Sequence, residues 1–352
     1  MNKAVSESTP YRRLFREDTS MKRLFLSLED GAVFEGLSVN DALETAGLLS
    51  FYTGVVGYQE VITDPANLGK ITLFTYPLIG NYGVNHEDAE SASPKVSGIV
   101  TKEYPPYYSN FRATGSLLDY LHASQTVFGT GFDTRAVLLH VREHGEMMAA
   151  TSEAPLTGDA VAQRATAAAA PDYTPENKPI ACAQARARVK ATVVDLGASK
   201  SFYKHIAALG VDACCPDEKA DLVIVSDGPY YCVESQTALD RVKSAANGRP
   251  VIGFGQGSAV AARAAGGAVK RMSFGDHGVN IPVRYAGGGR NEITVQNHNY
   301  EVIPGGSVEA LFTNVHDDRC EGFACASART AGANFLPGPA WFEVLLKAVG
   351  VE

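Results

Sequence analysis

Chemistry in this 352-residue chain centres on the stretch Pro250 to Gly267, PVIGFGQGSAVAARAAGG. Val251-Ile252-Gly253-Phe254 is a short apolar run, Gly255-Gln256-Gly257 a tight turn, and Ser258 stands as N-cap of an Ala-rich helical segment. Strand, turn and helix in that order make a nucleophile elbow. Such an elbow lifts one Cys or Ser side chain above a sheet edge, against backbone N–H groups that hold an oxyanion. The apex here is Gly255, which has no side chain, so the shape of a hydrolase is expected without its nucleophile. Ser258 is no substitute, because it lies three residues past the apex and its neighbours do not read G-x-S-x-G. Glycines 253, 255 and 257 give G-x-G-x-G after a late strand, a poor match to a dinucleotide fingerprint. The free N–H groups of the helix start can still hold an anion.

The elements that must position this turn are legible around it. Strands at Thr192 to Leu196, Leu222 to Ser226 and Pro250 to Phe254 alternate with helices at Ser199 to Leu209, Val233 to Ala246 and Ser258 to Ala265. That alternation predicts a mostly parallel sheet with helical crossovers. Antiparallel strands are expected at Val279 to Tyr285, Glu292 to Gln296 and Val308 to Phe312, and a closing helix at Trp341 to Val349. The first half reads as a compact α+β unit: a hairpin through Glu29-Asp30-Gly31, an apolar segment at Leu48 to Tyr52, a helix from about Gly57, strands at Ile71 to Phe74 and Val96 to Val100, and helices at Ser116 to His122 and Asp133 to His144. Residues 151–189 are rich in Ala, Thr and Pro and read as a linker, with a helix expected at the run Ala167 to Ala170. This divides the chain into a disordered leader (1–20), an N-terminal domain (21–150), the linker, and a second domain (190–352).

Composition excludes several classes. Apolar residues at 45%, charged residues at 20% and 34 Gly describe a globular α/β protein. No apolar run approaches the roughly 20 residues of a membrane helix, and a net charge of −8 argues against general affinity for nucleic acid. Cys182, Cys214, Cys215, Cys232, Cys320 and Cys325 form no C-x-x-C pair and have no His at zinc-finger spacing, so no metal site is expected and a reduced, cytoplasmic protein is. The acidic run Glu87-Asp88-Ala89-Glu90 reads as a solvated loop, or else as a docking contact.

Longer stretches carry a resemblance. LEDGAVFEG (28 to 36), GYQEVITDPANLGKITLFTYPLIGNYGVN (57 to 85), SNFRA (109 to 113), FDTRAV (132 to 137), VVDLGASKS (193 to 201), FGDHGVNIPV (274 to 283), VQNHNYEV (295 to 302) and LPGP (336 to 339) resemble the small subunit of carbamoyl phosphate synthetase. The resemblance implies an N-terminal domain that docks on a large synthetase subunit. It also implies a class I glutamine amidotransferase domain, a flavodoxin-like α/β fold, that supplies ammonia; the family serves pyrimidine and arginine synthesis. ATP chemistry would belong to the large-subunit partner, with no cofactor in this chain.

Glutamine hydrolysis in that family needs four features, and this chain departs from each. The elbow G-x-C-x-G-H-Q is Gly253-Phe254-Gly255-Gln256-Gly257-Ser258-Ala259 here, without nucleophile. The late H-P-E before S-P-G-P corresponds to Arg329 to Pro337, which has no His and no carboxylate. The oxyanion turn G-P-G-D-P is Gly228-Pro229-Tyr230-Tyr231-Cys232, and the substrate hydroxyl of F-x-T-S-x-x-G-Y is replaced by Gly54. Gln296-Asn297-His298 is retained, with His298 expected to be structural. His277 is expected to order a loop. The vestigial pocket would comprise Gly54, Gly228, Tyr230, Gly255, Gln256, Gly257, Ser258, Gln296, Asn297 and His298. These departures imply a small-subunit homologue without glutaminase activity. The alternative is a free-standing ligand-binding protein or repurposed enzyme whose pocket is lined by Tyr230, Tyr231, Gln256 and Ser258.

Overall fold

The computed structural model describes residues 21–168, 173–180, 182, 187–214 and 217–351. The expected leader, residues Ala169 and Ala170, and Cys215 lie outside the described residues.

The first domain is a closed barrel of β1 (Arg23–Leu28), β2 (Val33–Ser38), β3 (Thr45–Tyr52), β4 (Ile71–Phe74), β5 (Gly98–Val100), β6 (Val127–Thr130) and β7 (Met148–Ser152). Its order is β1-β2-β6-β5-β4-β3-β7, with β7 returning to β1. Side chains alternate along each strand and so feed two cores. Leu24, Leu26, Ile71, Leu73, Val100 and Val127 fill one, whereas Phe74, Ile99 and Phe128 turn to the other, beneath α1 (Tyr58–Thr63) and α2 (Leu117–Ala123). Ser116 and Asp133 cap α2 and α3 (Thr134–His144) through their side-chain oxygens. Helix α4 (Gly158–Ala167) buries Val161 against Ala46 and Ala150 of the barrel. The helix therefore stands earlier than the expected Ala run and packs on the first domain.

The second domain is a nine-stranded sheet in the order β13-β12-β14-β15-β16-β11-β10-β8-β9. The strands are β8 (Val189–Val194), β9 (Val211–Asp212), β10 (Leu222–Val225), β11 (Val251–Phe254), β12 (Ala268–Tyr285), β13 (Glu292–Ile303), β14 (Glu309–Asn314), β15 (Cys320–Cys325) and β16 (Thr330–Ala333). Pairings from β9 through β16 are parallel and those from β16 to β13 antiparallel. It is an α/β sheet of mixed direction. Leu222 and Ile224 face α5 (Lys200–Ala208) and α8 (Pro339–Ala348), while Val223 and Val225 face α6 (Gln236–Ala246) and α7 (Gln256–Ala264). Burial on both faces explains the unbroken apolar run of β10.

The two domains meet along β12. Phe51 of β3 stacks on Phe274 at 4.5 Å between centroids, and the Glu146 N–H donates to the Ser273 carbonyl at 2.7 Å. The acidic run forms a second clasp. Glu90 Oε2 accepts the Ser201 N–H (2.8 Å), Lys200 N donates to the Glu90 carbonyl, and Lys200 Nζ reaches the Glu87 carbonyl (3.1 Å). Glu87 keeps its carboxylate at the surface, as a solvated loop would, whereas Glu90 is engaged inside the molecule at the start of α5.

Candidate functional site

The elbow forms as read, and its apex is occupied from another strand. Gly255 adopts φ 56° and ψ −133°, a conformation that costs a side-chain-bearing residue strain. Asp227, just past β10, sends its carboxylate to this point. Its Oδ1 accepts the N–H of Gln256 at 2.8 Å and of Gly228 at 2.8 Å. A Cβ built on Gly255 would stand within 2.6 Å of the Asp227 carboxyl carbon and both its oxygens. The Gln256 N–H at the start of α7 is thus donating to a carboxylate of the protein itself, an arrangement favoured at a helix N-terminus.

This changes the reading of Ser258. Helix α7 begins at Gln256 with Gly255 as its cap position, so Ser258 is inside the first turn and not the N-cap. Asp227 supplies the first-turn acceptor that a Ser hydroxyl would otherwise provide. Ser258 is fully buried, and its Oγ has no partner among the described residues. Gly257 packs against the Ser226 carbonyl, and Gly253 against the backbone of Gly257 and Ser258. The three glycines serve close packing of β11, α7 and β10.

Charged groups converge on the same place from the first domain. Lys70, fully buried, places Nζ 3.5 Å from Asn297 Oδ1. Burial pushes its ammonium down, against the opposing pull of Glu146, Asp227 and Asp64. Burial also pushes Asp227 up to about 6, against the two N–H bonds and Lys70. Asp64 is pushed up to about 7 by burial and then by the charge of Asp227. Burial would raise Glu146 too, but the His277 imidazole and Lys70 hold it below the usual carboxylate range. His277 Nε2 faces Glu146 Oε1 at 2.8 Å and Nδ1 faces Asn297 Oδ1 at 2.7 Å. His277 is itself a strand residue of β12, and across the domain seam it holds Glu146 in the loop that leads into β7.

The sequence-predicted residues separate into three places. Gly228, Gly255 and Gln256 surround the Asp227 carboxylate, with Gln256 Nε2 donating to Asn299 Oδ1 at 3.2 Å. Gln296 and Asn297 line a cavity of about 370 Å³ between the domains, with Ser50, Asp64, Thr72 and His277. Tyr230 and Tyr231 lie elsewhere, in a cleft with Thr45, Gly69 and Met148. A single pocket of Tyr230, Tyr231, Gln256 and Ser258 is not formed, because the last two are 1% and 0% exposed. Gly54 is buried, and a Cβ there would collide with the Tyr52 ring and hydroxyl. His298 is buried in β13, its Nδ1 bonded to the Tyr300 carbonyl at 2.9 Å and its Nε2 3.2 Å from Glu321 Oε2. Against the effect of burial, Glu321 and Asp276 push it up to about 9.

Strand β16 runs beside β11, where Gly255 N–H donates to the Ala333 carbonyl at 3.0 Å. This is the stretch from which a catalytic base would come, and it presents Gly332, 2.5 Å from Ser258 Oγ if given a Cβ, and Asn334, which donates to Glu321 Oε2 at 3.1 Å.

The family model for "Carbamoyl-phosphate synthase small chain, CPSase domain" matches residues 26–151, and that for "Glutamine amidotransferase class-I" matches 182–337. The carbamoyl phosphate synthase small chain of Syntrophotalea carbinolica is 33% identical over 333 residues, covering 85% of this chain and 88% of its own. Those of Symbiobacterium thermophilum and Aquifex aeolicus are each 33% identical, covering 84% and 86% of this chain and 88% and 90% of their own. This chain belongs to the carbamoyl phosphate synthase small-chain family.

Within this small chain, Asp227, Lys70, Asp64 and Glu146 are site residues that the sequence did not single out. The family's motifs lie at the elbow and the turn after Asp227, whereas Asp64 and Lys70 come from the connection between α1 and β4, Glu146 from the loop before β7 and Asp227 from the end of β10. The sulfur nearest in effect is Cys232, which feels both Asp227 and Lys70; burial and the Asp227 charge push its thiol up, away from thiolate chemistry.

Proposed function

We propose that this small-chain homologue does not hydrolyse glutamine and serves as a structural or regulatory partner of a large synthetase subunit that uses free ammonia. One observation carries the reading. The Asp227 carboxylate accepts the Gln256 N–H at the elbow and the Gly228 N–H of its own turn, and fills the space in which a nucleophilic side chain would begin. A tetrahedral oxyanion would have to displace a carboxylate that makes the same bonds intramolecularly, at no cost in translational freedom. Gly332 and Asn334 beside the elbow offer no imidazole or carboxylate to activate a thiol.

The test has two arms. Purified chain, alone and with a carbamoyl phosphate synthase large subunit from the same source, is assayed for glutamate and ammonia release from glutamine, with no release expected. The pair is then assayed for carbamoyl phosphate synthesis with ammonium salt, and for co-purification. Release of ammonia from glutamine by the chain sinks the loss of activity; failure to bind or alter a large subunit sinks the partnership.

A second reading, a ligand-binding protein with a remodelled site, is favoured by the cavity of about 370 Å³ at the seam. Its lining includes the carboxylates of Glu60, Asp64 and Glu90 together with Thr72, whose buried Oγ1 has no partner among the described residues. A thermal-shift screen of metabolites tests it, since a ligand of the native state raises the melting midpoint.

A further inference from the structure

Four electron-pair donors converge on one point between β12, β13 and β15. Asp276 is directly opposite His298 in the antiparallel ladder, and Gln296, two residues before His298, shares its face of the strand. Glu321 approaches from β15. From His298 Nε2 the distances are 2.9 Å to Gln296 Oε1, 3.2 Å to Glu321 Oε2 and 3.9 Å to Asp276 Oδ2. The ligand atoms of Asp276, His298 and Glu321 all lie within 4.8 Å of one another. Donors held at roughly 2.1 Å from one ion stand roughly 3.0–3.4 Å from their neighbours in octahedral or tetrahedral arrangements; Gln296 Oε1 and Glu321 Oε2 are near that spacing from His298 Nε2, and Asp276 Oδ2, at 3.9 Å, stands farther out.

Each donor except that of Asp276 is aimed by an outer partner. The Tyr300 carbonyl accepts Nδ1–H of His298 at 2.9 Å, which leaves Nε2 turned inward. Gln296 Nε2 donates to Thr294 Oγ1 at 3.0 Å, which turns Oε1 inward. Asn314 and Asn334 donate to the two oxygens of Glu321, each at 3.1 Å. Asp276 Oδ2 is buried with no hydrogen-bond partner among the described residues, although it lies in a group that offers three further negative ends of dipoles or charges. A proton on Nε2 satisfies one of these oxygens at a time and balances one of two carboxylates. A divalent cation that draws Asp276 Oδ2 inward would meet all four donors and bring a neutral imidazole and two carboxylates to zero net charge.

We propose that Asp276, Gln296, His298 and Glu321 bind one divalent transition-metal ion, which ties β12, β13 and β15 together beneath the domain seam. One imidazole with three oxygens suits Zn²⁺ or Mn²⁺ better than an alkaline-earth ion. The spacing of Cys and His in the sequence could not have found this group, because strand register assembles it.

A second cluster, Asp30, His140 and His144, lies on the surface and also brings its ligand atoms within 4.8 Å. The experiment therefore uses full-length protein carrying His140→Gln and His144→Gln, stripped with EDTA and titrated with Zn²⁺ and with Mn²⁺ by calorimetry. The expected result is one ion per chain and a raised melting midpoint. Asp276, whose side chain is 22% exposed, is the least invasive ligand to alter, and Asp276→Asn is expected to weaken binding at least tenfold. Anomalous diffraction from the zinc-soaked protein, which needs no ligand variant to fold, should place the ion between His298 Nε2 and Glu321. Absence of saturable binding, unchanged affinity in Asp276→Asn, or an anomalous peak confined to other places overturns the proposal.

Discussion

Glu146 accepts a hydrogen bond from His277 across 2.8 Å with both side chains only 2% exposed, and this pair joins a loop of the barrel to β12 of the second domain. Glu146 also accepts from the Gly275 N–H at 3.0 Å and from Asn299 Nδ2. A carboxylate with that many donors inside one molecule fixes how the domains sit.

Removing the charge at this seam should therefore loosen the interface more than either domain. Glu146→Gln leaves His277, Asn299 and the Gly275 N–H with a poorer acceptor, and losing a buried hydrogen bond to a charged group costs about 1.5–3 kcal/mol. The expected outcome in urea unfolding at pH 7.5 is a lower first midpoint and a transition that splits in two as the domains lose their coupling. Arg112→Ala, which removes ion pairs to Glu87 and Asp88 at the surface, serves as control and should leave a single transition with an unchanged midpoint.

Restoring a thiol at the apex should fail twice. Gly255→Cys introduces a Cβ within 2.6 Å of the Asp227 carboxyl group, so the carboxylate must move and surrender its two N–H bonds. The expected result is a melting midpoint lower by several degrees, on the order of 2–4 kcal/mol, with no ammonia released from glutamine. Adding Asp227→Gly should recover much of the lost stability without activity. Recovery of glutaminase in Gly255→Cys alone would contradict the account of the site.

Ile71 to Phe74 and Leu222 to Ser226 were found because buried strands of branched apolar residues announce themselves. Strand β16, Thr-Ala-Gly-Ala, did not, because its neighbours leave no room for larger side chains: a Cβ on Gly332 meets Ser258 and Phe323. Strand β6 was missed for a similar reason, since Gly129 lies under Phe132 and Leu24. The apolar residues of the long β12 recur only in its second half; its first half is polar because it carries His277 at the seam and Asp276 against His298. The elbow was legible from its glycines. The carboxylate that fills it was not, since nothing in a linear pattern says which side chain from a neighbouring strand will take up free N–H groups.

Acidity near the elbow should leave a mark on stability. Asp227 and Asp64 have folded-state values of about 6 and about 7, above the 3.8 of a free aspartate. Between about pH 4 and pH 7 the native state then binds more protons than the unfolded one, so unfolding free energy falls as pH rises through this window. Above pH 7 both groups are ionised in either state and the cost is fully present. The effect is on the order of 2 kcal/mol, and because the two carboxylates feel each other it is less than the sum of independent sites. Chemical denaturation at pH 5 and pH 7.5 should show wild type weakening toward the higher pH, and Asp227→Asn flattening that dependence. Equal slopes in the two proteins would remove Asp227 from the explanation.

Lys70 should reveal whether these charges act together. Its ammonium lies among Asp64, Asp227 and Glu146 and, among the described residues, donates one hydrogen bond, to Asn297. Lys70→Met keeps the apolar stem and removes the cation. At pH 7.5 the carboxylates are left facing one another without compensation, a buried-charge penalty of about 3 kcal/mol. At pH 5 Asp64 and Asp227 hold protons, so less repulsion remains and the penalty should shrink. Combining Lys70→Met with Asp227→Asn should cost less than the two single changes summed, with a coupling of about 1 kcal/mol or more at pH 7.5. Identical penalties at both pH values, or strict additivity, would mean that Lys70 fills space at the seam and does not hold the elbow's carboxylate in its charged form.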